Sequence, residues 1–209
     1  LALGLPVRSK VTEDPGRGLC FDFLKSLPEG PRVLTGHDEG LITLNVEEAD
    51  DARREAVRNQ LGEPYRTLLG HLRHEVGHYY WDLLIPGTHW LEPYRALFGD
   101  ERADYAESLQ RHYESGPPAD WPQQYVSAYA TTHPWEDWAE TWAHYLHLVD
   151  TLNTALAFDL NAEDVEVYIE PFTADALYEP QHPGAERFLY FLNAWRSEER
   201  RVGKECLRL

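Results

Sequence analysis

Apolar side chains recur at helical intervals along residues 64–86. They return every three or four positions, which is the spacing of one face of an α-helix. Pro64 suits the first turn of such a helix, and Pro86 followed by Gly87 ends one. We therefore predict a helix between these prolines that is buried along one side. The residues of the stripe are Tyr65, Leu68, Leu69, Leu72, Val76, Tyr80, Leu83 and Leu84.

A second apolar stripe follows Pro134, in a segment rich in tryptophan and alanine. Proline opens helices, and either Thr132 or His133 could cap this one. The sequence therefore predicts a second long helix that begins at Pro134. Its apolar positions are Trp135, Trp138, Ala139, Trp142, Ala143 and Leu146.

The rest of the chain has weaker patterns. Two short β-prone runs in residues 33–45 flank residues 36–40 and predict a hairpin. We expect helices at residues 47–61, 94–98 and 101–113 and a strand at residues 165–169. The helices between the two long ones are expected to form one wall of a cleft.

The first long helix carries the pattern HExxH, with His74, Glu75 and His78. A step of four residues brings two imidazoles to one helix face, where they can hold one metal ion. Glu75 projects beside them and can act as a base on a metal-bound water. Gly77 lowers helix propensity, so we expect it to allow another segment to approach closely.

A zinc hydrolase needs a third protein ligand, and the second helix offers Glu136 and Glu140 one turn apart. Carboxylates among tryptophans are costly to bury unless a cation or hydrogen bonds compensate them. From the residues alone, either could be the ligand. His144 and His147 on the same helix are alternatives, although a histidine there is more often a packing residue. Asp82, one turn after His78, is either a partner of a ligand or a solvated residue.

These two motifs carry a family resemblance. HEVGHYYWD, together with the later VSAYATTHPWEDWAETWAHY, resembles a family of bacterial zinc-binding metallopeptidases of the gluzincin type. The chain is also similar to the wider set of anthrax lethal factor-like peptidases, which place a tyrosine before the third ligand and a second glutamate after it. Tyr129, Glu136 and Glu140 match that spacing. The resemblance implies an α+β, zincin-like metallopeptidase domain that is mainly helical, with a small sheet or hairpin beside the active-site helix.

The resemblance also implies roles for individual residues. His74, His78 and Glu136 would bind Zn²⁺, and Glu75 would be the general base. Tyr129 would donate a hydrogen bond to the oxyanion, and Glu140 would orient a zinc histidine. An edge strand lines the cleft in such peptidases and pairs with the substrate. We assign that strand to Leu41, Ile42, Thr43, Leu44 and Asn45, although an ordinary sheet strand is an equal alternative.

Length and composition suit one enzyme domain. The chain has 209 residues and 43% hydrophobic content, so residues 1–195 can form a single domain with a sizeable core. We expect this domain to be truncated at its N-terminus, because the chain begins with leucine and the zinc-ribbon segment of relatives is missing. Residues 196–209 turn abruptly basic, and we expect a non-native or disordered tail there.

The net charge and the number of cysteines limit which binding partners and which cellular compartment we expect. A net charge of −17 disfavours nucleic acids and acidic membranes, which bind through lysine and arginine. We expect a peptide or protein substrate. Two cysteines, Cys20 and Cys206, argue against a disulfide framework and suit the cytoplasm. The sequence contains no stretch of about 18 apolar residues that could span a membrane.

Three functions are compatible with these features. The first is a zinc-dependent peptidase, and the second is an amidase or other hydrolase with the same metal site. The third is a binding domain that zinc merely stabilises. Glu75 and Tyr129 favour catalysis, because a structural zinc needs neither and normally fills all four positions with protein ligands.

Overall fold

The computed structural model describes residues 3–50, 52 and 67–157 of the chain. This part of the chain contains a three-stranded sheet and four α-helices, so the α+β prediction is confirmed at that level. The strands are β1 (Cys20–Leu24), β2 (Gly36–Asp38) and β3 (Leu41–Asn45). The helices are α1 (Leu68–Leu84), α2 (Leu91–Phe98), α3 (Tyr105–Ser115) and α4 (Pro134–Ala157).

The chain divides into two compact units. The larger, Leu5–Tyr145, contains the sheet, α1 to α3 and the first half of α4. The other comprises Leu1–Gly4 and Leu146–Leu209, of which residues 3–4 and the last turns of α4 are described. The strand predicted at residues 165–169 and the tail at 196–209 lie outside the described residues. The single domain over residues 1–195 stays a prediction.

Helix α1 begins and ends close to the predicted limits. Thr67 is extended, with φ −115° and ψ 154°, and its hydroxyl accepts a hydrogen bond from the Gly70 amide. The helix therefore begins at Leu68 rather than near Pro64, because a threonine at this position satisfies an amide of the first turn. It ends at Leu84, before Pro86 as predicted. The Arg17 guanidinium donates to the Asp82 carbonyl oxygen at 3.1 Å and thus satisfies a carbonyl of the last turn.

The predicted hairpin is present, but its turn is tighter than expected. Strands β2 and β3 pair antiparallel around Glu39 and Gly40, which both have positive φ angles of 46° and 89°. Two consecutive residues with positive φ match the twist of a two-residue hairpin. Gly36–Asp38 is therefore the first strand of the hairpin, whereas the sequence placed these residues in its loop.

Strand β3 is the central strand of the sheet, in the order β1, β3, β2. It pairs in parallel with β1 and antiparallel with β2. The prediction of an edge strand at Leu41–Asn45 is therefore wrong, because neighbours occupy both sides of its backbone. The sequence analysis predicted no strand at Cys20–Leu24, so it gave β3 no second neighbour. The edge strand that contacts α1 is β2.

The other helix predictions differ at their N-termini. Helix α2 starts at Leu91 instead of residue 94, and α3 starts at Tyr105 instead of residue 101. Asp104 caps α3 by accepting a hydrogen bond from the Glu107 amide, and Glu101 pairs with Arg95 instead. Of the helix predicted at residues 47–61, Val46–Ala49 forms a 3₁₀ turn that ends at Asp50. Residues 51 and 53–61 lie outside the described part. None of the described helices is long and apolar enough to cross a membrane.

Helices α1 and α4 approach closely at Gly77, as the sequence predicted. A Cβ atom on Gly77 would lie 3.1 Å from both the Ala139 Cα and the Trp142 Cβ. The Trp138 indole also donates to the Gly77 carbonyl oxygen at 2.9 Å. Glycine thus sets the distance between the helix with the HExxH pattern and the helix with the two glutamates.

We expect Gly77→Ala to destabilise the protein and to weaken metal binding. Alanine improves helix propensity by about 1 kcal/mol. Overpacking against α4 costs about 1–3 kcal/mol, so the net effect is a loss of up to about 2 kcal/mol of stability. Denaturant unfolding and zinc titration would measure both effects. Gly36→Ala is the matched control, because a Cβ there meets nothing within 4 Å. An unchanged zinc affinity in Gly77→Ala would contradict this role.

Candidate metal centre

Side chains from α1 and α4 converge on one point. His74 Nε2 lies 3.0 Å from His78 Nε2 and 2.9 Å from Glu136 Oε2, and the third distance, His78 Nε2 to Glu136 Oε2, is 3.5 Å. All three residues are buried, with 7%, 3% and 2% of their surface exposed. Among the described residues, this is the one group of histidine and carboxylate side chains arranged to hold a metal ion.

Glu136 owes its position to the start of α4. The His133 carbonyl oxygen accepts from the Asp137 amide, and its ring Nδ1 accepts from the Trp135 amide at 3.1 Å. His133 Nε2 donates to the Ala103 carbonyl oxygen at 3.0 Å. The sequence allowed either Thr132 or His133 as the N-terminal cap of α4, and the cap is His133. It fixes Glu136 in the first turn, where the helix dipole favours a carboxylate.

Glu140 contacts the opposite ring nitrogen of His74. Its Oε1 lies 2.7 Å from His74 Nδ1, so the Nδ1–H donates to this carboxylate. The neutral ring then carries its lone pair on Nε2, which faces His78 and Glu136. The two glutamates thus lie on different sides of one imidazole: Glu136 faces the shared centre and Glu140 lies behind the ring.

The three converging atoms fit a metal ion. His74 Nε2 and Glu136 Oε2 are 2.9 Å apart, yet both are acceptors when the imidazole is neutral. Glu136 Oε2 is also a buried oxygen without a hydrogen-bond donor in the described part of the chain. A proton or a metal cation must compensate such a group. Tetrahedral zinc with bonds near 2.0–2.1 Å separates its ligand atoms by about 3.3 Å, close to the three distances observed.

Without a metal, the same atoms hold a proton. Burial lowers the pKa of His74, but the carboxylates of Glu136 and Glu140 outweigh this effect and raise the pKa to about 10. Burial raises the pKa of Glu136, and the two histidines more than reverse that, leaving the pKa well below its usual range. The metal-free centre is thus a protonated imidazole between ionised carboxylates.

Metal binding should therefore release a proton. A metal ligand must be deprotonated, and the raised pKa of His74 means that the metal-free protein carries this proton at neutral pH. We expect release of about one proton per zinc ion and an affinity that falls about tenfold per pH unit as pH decreases. Calorimetric titration in buffers of different ionisation enthalpy would measure the release. A zinc affinity independent of pH would contradict the assignment of His74.

Glu75 lies beside the convergent group on the same helical turn. Its side chain is 6% exposed, and its Oε1 lies 3.4 Å from His71 Nε2. Burial raises the pKa of Glu75, but His71 and the other two histidines of α1 lower it below its usual value. The carboxylate is therefore ionised at neutral pH and able to accept a proton.

Two tyrosines adjoin the centre, of which the sequence pointed to one. Tyr129 lies in a 3₁₀ turn before α4, with its ring 6.0 Å from that of His74. The hydroxyl of Tyr105, at the start of α3, donates to Glu136 Oε1 at 2.7 Å. Burial raises the pKa of both tyrosines, so both keep their protons. No sequence pattern links Tyr105 to Glu136, because the contact joins separate helices.

Two other predicted partners lie elsewhere. Among the described residues, Asp82 makes no hydrogen bond to His78; its carboxylate lies 3.9 Å from His37 Nε2 and is 43% exposed. His78 Nδ1 is buried and has no hydrogen-bond partner within the described ranges, and the His78 ring packs on Trp135 with centroids 3.7 Å apart. His144 binds the Glu140 carbonyl oxygen through Nδ1 at 2.8 Å, in agreement with a packing role.

Two histidines for which the sequence analysis predicted no role also adjoin the centre. His37 on β2 has a side chain that is 2% exposed, and its ring centroid lies 6.4 Å from that of His78. Burial lowers the pKa of His37 to about 4, and nearby His78 acts in the same direction. His71 lies between Glu75 and Glu48. The i,i+4 spacing of His71 and Glu75 could have predicted their contact from the sequence. The contact between His71 and Glu48 could not be inferred in this way.

Comparison with known proteins agrees with this geometry. The chain is 51% identical over 154 residues to uncharacterized proteins of Mycobacterium tuberculosis and Mycobacterium bovis. The aligned region covers 73% of this chain and 44% of those relatives, so the chain spans less than half of their length. No solved structure gives a significant match. The profile of a family described as putative zinc-binding metallo-peptidase matches residues 1–202. The chain therefore belongs to the putative zinc-binding metallo-peptidase family.

Proposed function

We propose that this chain is a zinc-dependent peptidase of the gluzincin type. The observation that carries the proposal is the convergence of His74, His78 and Glu136, whose ligand atoms lie within 4.8 Å of one another. Two histidines and one carboxylate are a catalytic rather than a structural set, because a structural zinc is normally enclosed by four protein ligands. Membership of the metallopeptidase family supports the same conclusion.

A bound zinc ion would polarise a water molecule and the scissile carbonyl. Glu75 would accept a proton from the attacking water at its carboxylate and would later deliver it to the leaving amine. Burial raises the pKa of Glu75, but His71, His74 and His78 outweigh burial and lower it, so the carboxylate is ionised before the reaction. Glu75 also neighbours His74 in sequence, so one helical turn positions both the metal ligand and the base.

The surrounding polar groups position this machinery. Glu140 accepts from His74 Nδ1 and so directs Nε2 towards the metal. The Tyr105 hydroxyl engages Glu136 Oε1, which leaves Oε2 for the metal. Tyr129 keeps its proton, because burial raises its pKa, and can donate a hydrogen bond as charge develops on the substrate carbonyl oxygen. The spacing of Tyr129, Glu136 and Glu140 matches lethal factor-like peptidases.

The substrate in this proposal is an extended peptide that pairs with a strand edge. With β3 at the centre of the sheet, this edge is β2 instead. The His37 side chain on β2 approaches His78, so β2 runs beside the metal centre. The net charge of −17 favours neutral or cationic peptides over nucleic acids. A cytoplasmic location agrees with the low cysteine content.

The test is incubation of the zinc-loaded protein with a diverse peptide library, beside the Glu75→Gln variant. Cleavage by the wild type alone would support a peptidase. No cleavage by either protein would overturn the proposal and favour a zinc-stabilised binding domain. Hydrolysis of non-peptide amides without peptide cleavage would favour the amidase alternative.

A further inference from the structure

We propose that His71 is the positioning residue of Glu75, and that Glu48 and Thr35 hold His71 in place for this role. This inference rests on the proposed function, because it concerns the base of that reaction. It adds three residues that no motif marks, from α1, from the turn after β3 and from the segment before β2.

The contacts form a continuous chain from the sheet to the base. The backbone amide of Asn45, at the end of β3, donates to the Thr35 hydroxyl at 3.0 Å. Thr35 in turn donates to Glu48 Oε1 at 2.7 Å. Glu48 Oε2 lies 2.7 Å from His71 Nδ1, and His71 Nε2 lies 3.4 Å from Glu75 Oε1. In this series of contacts, each hydrogen-bond donor therefore faces an acceptor.

The turn that carries Glu48 is itself anchored. The Asn45 side chain accepts from the Glu47 amide at 3.0 Å and donates to the Val33 carbonyl oxygen at 3.0 Å. Asn45 is 5% exposed, so these bonds are shielded from water. Glu48 is thus attached to the sheet rather than to a free loop. A second carboxylate held this rigidly can fix the orientation of the imidazole.

A carboxylate faces each nitrogen of His71, and this decides what the ring can do. Both nitrogens must donate if both carboxylates are ionised, so the ring favours its doubly protonated form. The pKa of His71 agrees: burial lowers it, but Glu48 and Glu75 outweigh burial and raise it to about 9. His71 therefore engages Oε1 of Glu75 and leaves Oε2 to take the proton from water.

The distance of 3.4 Å between His71 and Glu75 is long for a hydrogen bond. Catalytic hydrogen bonds are often long in ligand-free structures and tighten in the reacting complex. A misplacement of about 1 Å can cost 100-fold in rate. A residue that fixes the orientation of Glu75 therefore affects the rate, and His71 lies one helical turn before Glu75.

The first experiment needs neither zinc nor substrate. NMR of the zinc-free protein with ¹⁵N-labelled histidine resolves the two ring nitrogens of His71. We expect Glu75→Gln to shift the Nε2 resonance and Glu48→Gln to shift the Nδ1 resonance. The matched control is Glu92→Gln, at a side chain that is 82% exposed on α2, and it should shift neither. If the His71 Nε2 resonance does not shift in Glu75→Gln, the proposal is overturned, whether or not the protein proves to be a peptidase.

The second experiment measures catalysis by the zinc-loaded protein. We expect His71→Asn and Glu48→Gln to lower kcat about 10–100-fold, with zinc content and KM unchanged. The exposed His89→Asn should behave as wild type. Free imidazole should restore part of the kcat of His71→Gly but not raise that of wild type or His89→Gly. Unchanged kcat, or zinc lost in parallel with kcat, would refute a positioning role. If the wild type cleaves no peptide, the proposed function fails, and the NMR result alone tests the contact between His71 and Glu75.

Discussion

Glu136→Gln is expected to remove zinc from the purified protein, whereas Glu140→Gln should still bind it, with an affinity about 10–100-fold lower. The difference follows from the two faces of His74. Glu136 Oε2 lies 2.9 Å from His74 Nε2, on the side shared with His78. Glu140 instead holds Nδ1 at 2.7 Å and only orients the ring. A neutral amide at position 136 removes the anionic ligand, while one at position 140 weakens the orienting hydrogen bond.

Metal analysis of the purified proteins, followed by competition with a chelator of known affinity, would measure both effects. Asp137→Asn is the control on the same helix turn, because the Asp137 carboxylate contacts Thr141 rather than the histidines. Equal zinc loss in Glu136→Gln and Glu140→Gln would show that both carboxylates are ligands. Zinc retained at full affinity by Glu136→Gln would refute the centre as described.

Glu75→Gln is expected to lower kcat for peptide hydrolysis by about 10²–10⁴-fold while zinc content stays at the wild-type level. Glutamine has nearly the same shape as glutamate, but its amide cannot accept the proton from water. The loss should fall on kcat rather than KM, because Glu75 acts on the reacting atoms and not on the bound peptide. His74→Ala differs, since it should abolish metal binding and turnover together.

The measurement is steady-state kinetics on a peptide identified from the library, with zinc determined on the same samples. Glu92→Gln serves as the control for the same chemical change at an exposed side chain. If Glu75→Gln kept the wild-type kcat, another group would be the base. A parallel loss of zinc would indicate that Glu75 supports the metal rather than the reaction.

Local sequence determined the elements that carry the chemistry. The HExxH spacing places His74, Glu75 and His78 on one part of α1, since four residues make about one helical turn. Proline at position 134 set the start of α4, and Pro86 with Gly87 ended α1. These are short-range effects of backbone geometry, so they can be read without knowing the fold. Gly77 was also a correct signal, because a glycine inside a helix is costly without a close neighbour.

The tertiary structure alone decided which groups meet. The sequence could not separate Glu136 from Glu140 without the resemblance, because both lie on the same side of α4. Their different contacts depend on how α4 crosses α1 at Gly77. Tyr105 contacts Glu136, and Glu48 contacts His71, from segments whose local patterns carry no sign of these contacts. The place of β3 in the sheet likewise depends on pairing with the distant β1. Long-range contacts of this kind depend on packing between elements, which periodicity and spacing within one segment do not encode.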